Sequence, residues 1–194
     1  MLKVGITGGI GSGKTTVCKI FELLGISVYY SDLRAKQLMT ENQLVKQQIL
    51  QLLGHEAYSN NKLNTKYISK IVFNDKIMLN RLKAIVHPAV YADAEDWFKQ
   101  HQNENYVLYE SALLLVNGKN NLVDKVILVI ADIESRVQRV IDRDKSDRNS
   151  VLQRIQSQSI QENLIPFADF IVNNNQDYSQ IEFQVLTIHN QLTN

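Results

Sequence analysis

Cysteine occurs once in these 194 residues, at Cys18, and proline twice, at Pro88 and Pro166. A single thiol cannot build a disulfide framework and leaves no basis for a Cys-rich zinc site, so the chain suits a reducing compartment. Two prolines exclude a Pro-rich linker. Charge of one sign is also missing: 21 Lys and Arg stand against 20 Asp and Glu, a formal +1. That balance argues against a duplex nucleic-acid binder and against an acidic solvating tail, so any basic function must be local. No apolar run approaches the ~18 residues that a membrane helix needs. After Lys3 the start of the chain turns to Gly5, Gly8 and Gly9 and carries no signal-peptide core. The expectation is a cytoplasmic protein with no membrane, no nucleic acid and no obligate protein partner. Internal repeats are absent, and the scattered Asn and Gln read as solvated surface. With 44% hydrophobic residues, the chain has enough apolar material for one domain without staples.

The apolar run from Leu2 to Thr7 predicts a buried strand that ends in a glycine turn. Beyond Gly13, Val17, Ile20, Phe21 and Leu24 fall at i, i+3, i+4 and i+7, one face of a helix that Gly25 can end. A strand from Ile26 to Tyr30 follows, completing a β-α-β unit with a parallel sheet. Between about residues 32 and 101 apolar residues recur at helical intervals with no useful strand pattern, and Ser59-Asn60-Asn61 reads as punctuation; this predicts a helical insertion. Strands return at Tyr106 to Tyr109 and Val126 to Ile130. The next helix has Asp132 as its expected N-cap and Ile133, Val137, Val140 and Ile141 as its inner stripe. A strand at Phe170 to Val172 and a helix marked by Ile181, Val185, Ile188 and Leu192 complete the pattern. The fold class predicted is α/β, a three-layer α/β/α core on a parallel sheet.

Gly8-Gly9-Ile10-Gly11-Ser12-Gly13-Lys14-Thr15 satisfies G-x-x-x-x-G-K-[ST] between a strand and a helix, where a phosphate-binding loop belongs. Glycines let the backbone wrap closely around an anion and present successive N–H groups, and the following helix turns its positive end to the same point. Lys14 would bridge the β- and γ-phosphates and the Thr15 hydroxyl would ligate Mg²⁺. Cys18, one turn into the helix, reads as packing. The chain lacks the D-x-x-G and N-K-x-D pair of a switch GTPase; Asn174-Asn175-Gln176-Asp177 lacks the lysine. A kinase needs a carboxylate for its acceptor hydroxyl and cations over the transferred phosphoryl group. Asp32, after the second strand, suits either that carboxylate or the N-cap of the next helix, and the residues alone leave both open.

Arg136, Arg139, Arg143, Lys145 and Arg148 cluster around a gap between two helical patterns, interleaved with Asp142, Asp144 and Asp147. Such a segment reads as a lid, about residues 139 to 152, that brings arginines over phosphates on closure. The alternative is a solvated face of ion pairs, although two like charges at Arg139 and Arg143, i and i+4, call for an anion. Residues 62 to 83 hold Lys62, Lys66, Lys70, Lys76, Arg81 and Lys83 against Asp75 alone, 6 − 1 = +5. This patch suits either an anionic acceptor or a solvated face. His87-Pro88 closes it, and a residue before proline is expected at a helix end.

Taken together these residues resemble the dephospho-coenzyme A kinase family, from Val4 to about Asn174. The resemblance is carried by Gly5-Ile6-Thr7-Gly8-Gly9-Ile10-Gly11-Ser12-Gly13-Lys14-Thr15-Thr16, by Ser31-Asp32 with Ala35-Lys36, and by His87-Pro88. It continues through Glu110-Ser111-Ala112-Leu113-Leu114, Arg139 with Arg143-Asp144, Arg154-Ile155-Gln156-Ser157-Gln158, and Ala168-Asp169-Phe170-Ile171-Val172-Asn173-Asn174. It implies one phosphate-loop kinase domain over residues 1–194, with a helical coenzyme A-binding insertion and a lid. The implied reaction carries the γ-phosphoryl group of ATP, with Mg²⁺, to the ribose 3′-hydroxyl of 3′-dephospho-coenzyme A, giving coenzyme A and ADP. Asp32, Lys14, Arg139 and Arg143 match the catalytic positions. The stretch Gly8 to Thr16, with Arg139 and, on the adenine side, Asn173, matches the nucleotide site. Asp32, Lys36, Arg81, His87 and Pro88 fall on the acceptor side, and Thr15 and Glu110 on the metal. Two positions depart from the family pattern. Tyr30 stands where the first aspartate of D-A-D is common, and Val116 where P-L-L-F-E carries its glutamate, which leaves Glu110 as the acidic group facing the metal.

Overall fold

The computed structural model describes residues 1–115, 122–158, 161–175 and 177–193. β1 (Leu2–Thr7) runs into the glycine loop, and α1 (Lys14–Leu23) buries Val17, Cys18, Ile20 and Phe21. The end of α1 is a Schellman arrangement: the Gly25 N–H donates to the Glu22 carbonyl at 3.0 Å and the Ile26 N–H to the Phe21 carbonyl at 3.1 Å. Gly25 takes φ +81, which a side chain would resist. Because its N–H is engaged by α1, Ile26 does not open the next strand, and β2 is shorter than predicted, Val28–Tyr30.

The chain continues as α2 (Ser31–Glu41), α3 (Gln43–Leu53), β3 (Tyr58–Ser59), β4 (Lys62–Leu63), α4 (Thr65–Asn74) and α5 (Lys76–Gln100). Then come β5 (Tyr106–Glu110), β6 (Lys125–Ile130), α6 (Ile133–Asp144), α7 (Arg148–Gln156), α8 (Gln161–Leu164), β7 (Phe170–Asn173) and α9 (Tyr178–Thr193). Contacts divide the chain into two units, Met1–Tyr30 with His101–Asn194, and Ser31–Gln100.

In the first unit five strands form a parallel sheet in the order β2-β5-β1-β6-β7. Alternate residues Val4, Ile6, Tyr106, Leu108, Ile127, Val129 and Val172 point to one face, where they pack with α1 and with Ile181, Val185, Ile188 and Leu192 of α9. Phe21 is fully buried and meets Tyr106 edge-on at 6.4 Å, so its truncation to Ala would cost about 3–5 kcal/mol. The buried Tyr106 hydroxyl is satisfied by His189 Nδ1 at 2.7 Å. On the opposite face Val107, Tyr109 and Leu128 are buried too, and a Cβ on Gly5 would collide with Leu114. Both faces are covered, as continuous apolar strands require, and the architecture is the three-layer α/β/α class. The register pairs Glu110 with Ile6 and with Tyr30, and Asn173 with Ile130, which aligns these strand ends along the carboxyl edge of the sheet.

The second unit is helical apart from one hairpin. Tyr58 pairs with Leu63 and Ser59 with Lys62 across Asn60 and Asn61, both at positive φ, 50° and 60°. What read as punctuation is therefore a two-residue hairpin turn, since Asn tolerates the left-handed region without a glycine beside it. His87-Pro88 does not end a helix either: it lies inside the 25-residue α5. Pro88 removes one helix bond, but Leu82, Val86, Val90, Ala94 and Phe98 form a buried stripe that runs past it and holds the helix together. Arg34 joins α2 to α5 through a two-pronged pair with Asp93, Nε to Oδ2 at 2.9 Å and Nη2 to Oδ1 at 2.5 Å.

Candidate active site

The loop between β1 and α1 holds every one of its carbonyl oxygens with a donor. Lys14 Nζ donates to Gly8 O at 3.0 Å, and the Ser12 N–H donates to Gly9 O at 3.1 Å. Arg136 Nε donates to Ile10 O at 2.9 Å, Arg139 Nη1 to Gly11 O at 3.4 Å, and Asn174 Nδ2 to Ser12 O at 2.7 Å. Gly13 O accepts from the Thr16 and Val17 N–H groups at 3.0 and 3.2 Å. Carbonyls tied in this way have their acceptor capacity engaged within the protein, and the first turn of α1 begins directly at Lys14 and Thr15, where a helix presents N–H groups ahead of its own carbonyl ladder. A loop with its negative ends bound and a helix N-terminus beside it is an anion cradle. Gly13, at φ +92, lets Asn174 approach so closely that a Cβ would collide with its amide. Ser12 Oγ is buried with no hydrogen-bond partner among the described residues.

Lys14 Nζ also lies 4.0 Å from Glu110 Oε1, with the two side chains 12% and 9% exposed. The structure thus places Glu110, the last residue of β5, beside the loop lysine. Cys18 lies beneath them, its thiol pushed well up first by burial and then by the charges of Glu110 and Glu22, so it is protonated packing. Tyr30 is no substitute for an aspartate. Its phenol is pushed up by burial first and by the nearby negative charge of Glu22 and Glu110, and it stays neutral. Val116 lies outside the described residues.

Arg139 and Arg143 meet different acceptors within the protein. Arg139 Nη2 donates to Asn174 O at 2.7 Å and Oδ1 at 3.4 Å, whereas Arg143 grips Asp144 through Nε at 2.7 Å and Nη2 at 3.1 Å. Each guanidinium has its own protein acceptor. Asp144 also accepts from Arg154 at 3.0 Å, and the two guanidiniums hold its carboxyl down at about 2. Arg148 pairs with Glu134 at 2.8 Å. Arg136, which sequence reasoning grouped with these surface charges, is buried. Asp132 occupies the N-cap position of α6, but its side chain makes no cap bond.

At the end of β7 Asn173 is engaged locally: its N–H donates to Gln184 Oε1 at 2.8 Å and its Oδ1 accepts from the Asn175 N–H at 3.1 Å. Its neighbour Asn174, buried at 4% exposure, is the residue that reaches the glycine loop. In the helical unit Asp32, Lys36, Arg81, His87 and Pro88 are exposed. Asp32 is in the first turn of α2, which begins at Ser31, so it is not the N-cap. His87 is pulled down by partial burial and by Lys83, against an opposing pull from the Asp32 carboxylate, which brings these three residues into one neighbourhood.

A protein-family profile described as "CoaE: Dephospho-CoA kinase" matches residues 2–180. The chain belongs to the dephospho-CoA kinase family. A dephospho-CoA kinase of Salinibacter ruber is 39% identical over 178 residues, covering 90% of this chain and 89% of that one. Among solved structures, TT1252 from Thermus thermophilus superposes with a TM-score of 0.87 at 29% identity, covering 100% of this chain and 98% of its own. A dephospho-CoA kinase from Campylobacter jejuni gives a TM-score of 0.66 at 25% identity over 98% and 96% of the two chains. Within this dephospho-CoA kinase family fold, the residues that single-sequence reasoning missed are Arg136, Asn174 and Gln158, whose Oε1 accepts the Ile10 N–H at 2.8 Å. The sequence signal of Gln158 and Asn174 was membership of longer motif strings, and that of Arg136 its place in the basic cluster. Among the described residues no helix is long and apolar enough to cross a membrane.

Proposed function

We propose that the protein transfers the γ-phosphoryl group of ATP to the ribose 3′-hydroxyl of 3′-dephospho-coenzyme A, releasing coenzyme A and ADP in the cytoplasm. The observation that carries this reading is the glycine loop with all its carbonyls bound, in a chain of this family. Gly8 to Thr16 enclose the phosphates, and Ser12 Oγ is a buried donor that an anion in the loop can satisfy. Lys14, held between Gly8 O and Glu110, is poised to exchange these contacts for phosphate oxygens.

The donor set beside the loop fits Mg²⁺. The Thr15 side chain is exposed, Glu110 supplies one carboxylate, and no group of three or more His, Cys, Asp or Glu gathers into a cage among the described residues. A cation that keeps its waters and takes phosphate oxygens needs no more than that. When bound it neutralises charge on the β- and γ-phosphates. Asp32 accepts the proton of the acceptor hydroxyl or orients it, with the helical unit, about residues 32–101, contributing Lys36, Arg81, His87 and Pro88 to the acceptor. His87, pulled below its ordinary range, is neutral at pH 7 and acts there as a hydrogen-bonding ring. Asn173 lies on the adenine side. Arg139 and Arg143, in the lid of about residues 139–152, steady the transferred phosphoryl group; Arg143 must exchange Asp144 for phosphate oxygens to do so.

ADP release with ATP and dephospho-coenzyme A, set beside ATP with adenosine, with AMP and with no acceptor, tests this. Release only with dephospho-coenzyme A is the expected result. Turnover with a nucleoside or nucleotide would make the protein another small-molecule kinase, and equal turnover without acceptor would make it an ATP-driven switch.

A further inference from the structure

Ile10 is the one large apolar side chain in the glycine loop, and it packs against Val137, Val140, Val151 and Ile155 between α6 and α7. Its backbone is held on both sides. The Ile10 carbonyl accepts from Arg136 Nε at 2.9 Å, and the Ile10 N–H donates to Gln158 Oε1 at 2.8 Å. Arg136 Nη2 approaches the same Gln158 oxygen at 3.5 Å, and its guanidinium fills the space that a Cβ on Gly9 would need. Gln158 stands two residues beyond α7 and is itself fixed by its N–H to the Ile155 carbonyl at 3.1 Å.

In a trans peptide the N–H and C=O lie in one rigid plane and point in opposite directions. The bond from Ile10 N–H to Gln158 therefore turns Gly9 O the other way, where it accepts the Ser12 N–H that closes the loop. By the same rule the bond from Arg136 to Ile10 O sends the Gly11 N–H to the opposite side. We infer that Gln158 is a positioning residue for the ATP phosphates: it locks the Gly9–Ile10 peptide and fastens the phosphate loop to the end of α7, beside Arg136 of α6, the helix that bears Arg139 and Arg143. The inference rests on the kinase reading for the identity of the anion, and on nothing about the acceptor.

Gln158→Ala and Gln158→Glu separate this role from general stability. Calorimetry with ATP and no acceptor should show binding about 5- to 50-fold weaker for Gln158→Ala, the scale of one buried donor left unsatisfied. Dephospho-coenzyme A affinity should stay within about twofold, and the Ile10 amide should exchange hydrogen faster. Gln158→Glu retains an oxygen for the Ile10 N–H beside the Arg136 guanidinium and should bind ATP within about threefold of the parent. If Gln158→Ala does not fold, Gln158→Asn, one methylene short of Ile10, replaces it with the same expectations. Unchanged ATP affinity in the truncated variant, unchanged Ile10 exchange, or a glutamate variant as weak as the alanine one overturns the inference. A parent that binds ATP but phosphorylates no dephospho-coenzyme A removes the acceptor reading and leaves this comparison standing; a parent that binds no ATP overturns both.

Discussion

Gly13 and Gly25 both hold left-handed backbone, at φ +92 and +81, but their surroundings differ completely. A Cβ at Gly25 meets nothing within 4 Å, whereas one at Gly13 runs into the Asn174 amide. Gly25→Ala should therefore cost only the backbone strain, about 1–2 kcal/mol. Gly13→Ala carries the same strain and also drives Asn174 Nδ2 from Ser12 O, leaving a buried carbonyl unsatisfied for a further ~1–3 kcal/mol. The entropy change in the unfolded chain is the same glycine-to-alanine term in both variants and cancels in the comparison. In equilibrium urea unfolding at constant m the two variants should differ by ~1–3 kcal/mol, or about 2–12 °C in melting temperature. ATP binding should fall with Gly13→Ala and hold with Gly25→Ala. In a Gly13→Ala/Asn174→Ala double variant the costs should be less than additive, because the collision and the lost bond involve one group. Equal destabilisation of the two single variants, or full additivity in the double, would refute the assignment of Asn174 as the brace of the loop.

Other outcomes follow from the same geometry. Asp32→Asn should leave ATP binding and melting close to the parent, since Asp32 is exposed and is not the cap of α2, while turnover falls at least ~10²-fold; full turnover would remove it from the mechanism. Arg139→Ala and Arg143→Ala should both lower turnover but separate in stability. Loss of the Arg139 bonds to buried Asn174 should cost about 1–3 kcal/mol by calorimetric melting, and loss of the exposed Arg143–Asp144 pair no more than ~1 kcal/mol. The pH dependence runs through Asp144. Its carboxyl titrates at about 2 in the folded protein against 3.8 ordinarily, so its contribution is present above pH ~4 and is lost as pH falls toward ~2. With Arg143 63% and Arg154 46% exposed, that contribution is a screened ~0.2–1 kcal/mol. The melting temperatures of Asp144→Asn and the parent should differ at neutral pH and converge near pH 2; a constant gap would contradict the pairing.

What the sequence displays, and what it hides, divides by range. β1, the glycine loop, α1 and the stop at Gly25 were legible because periodicity, a local motif and a C-terminal glycine act within a few residues of one another. β5 and β6 were legible as apolar runs because both of their faces are covered. The braces of the loop were not legible: Arg136, Gln158 and Asn174 bond to residues 126, 148 and 162 positions away, and no local pattern marks a side chain that bonds at such distance. Arg136 looked like one more surface cation, although its helical neighbours Val137 and Val140 are core residues. At His87-Pro88 the local rule for residues before proline yielded to the buried stripe of α5. At Asn60-Asn61 the hairpin was missed because its left-handed turn uses asparagine where glycine is the common signal. Asn174 closes the same motif string as Asn173, but nothing local marks it as the residue that bonds to the loop.

The most direct test of the central claim is the position of the phosphate on the product. Incubation with ATP, Mg²⁺ and 3′-dephospho-coenzyme A, followed by ³¹P NMR of the acceptor, should reveal one new phosphomonoester at the ribose 3′ carbon, formed in equal amount with ADP. ADP formed without that resonance, or a phosphate at any other oxygen, would contradict the account.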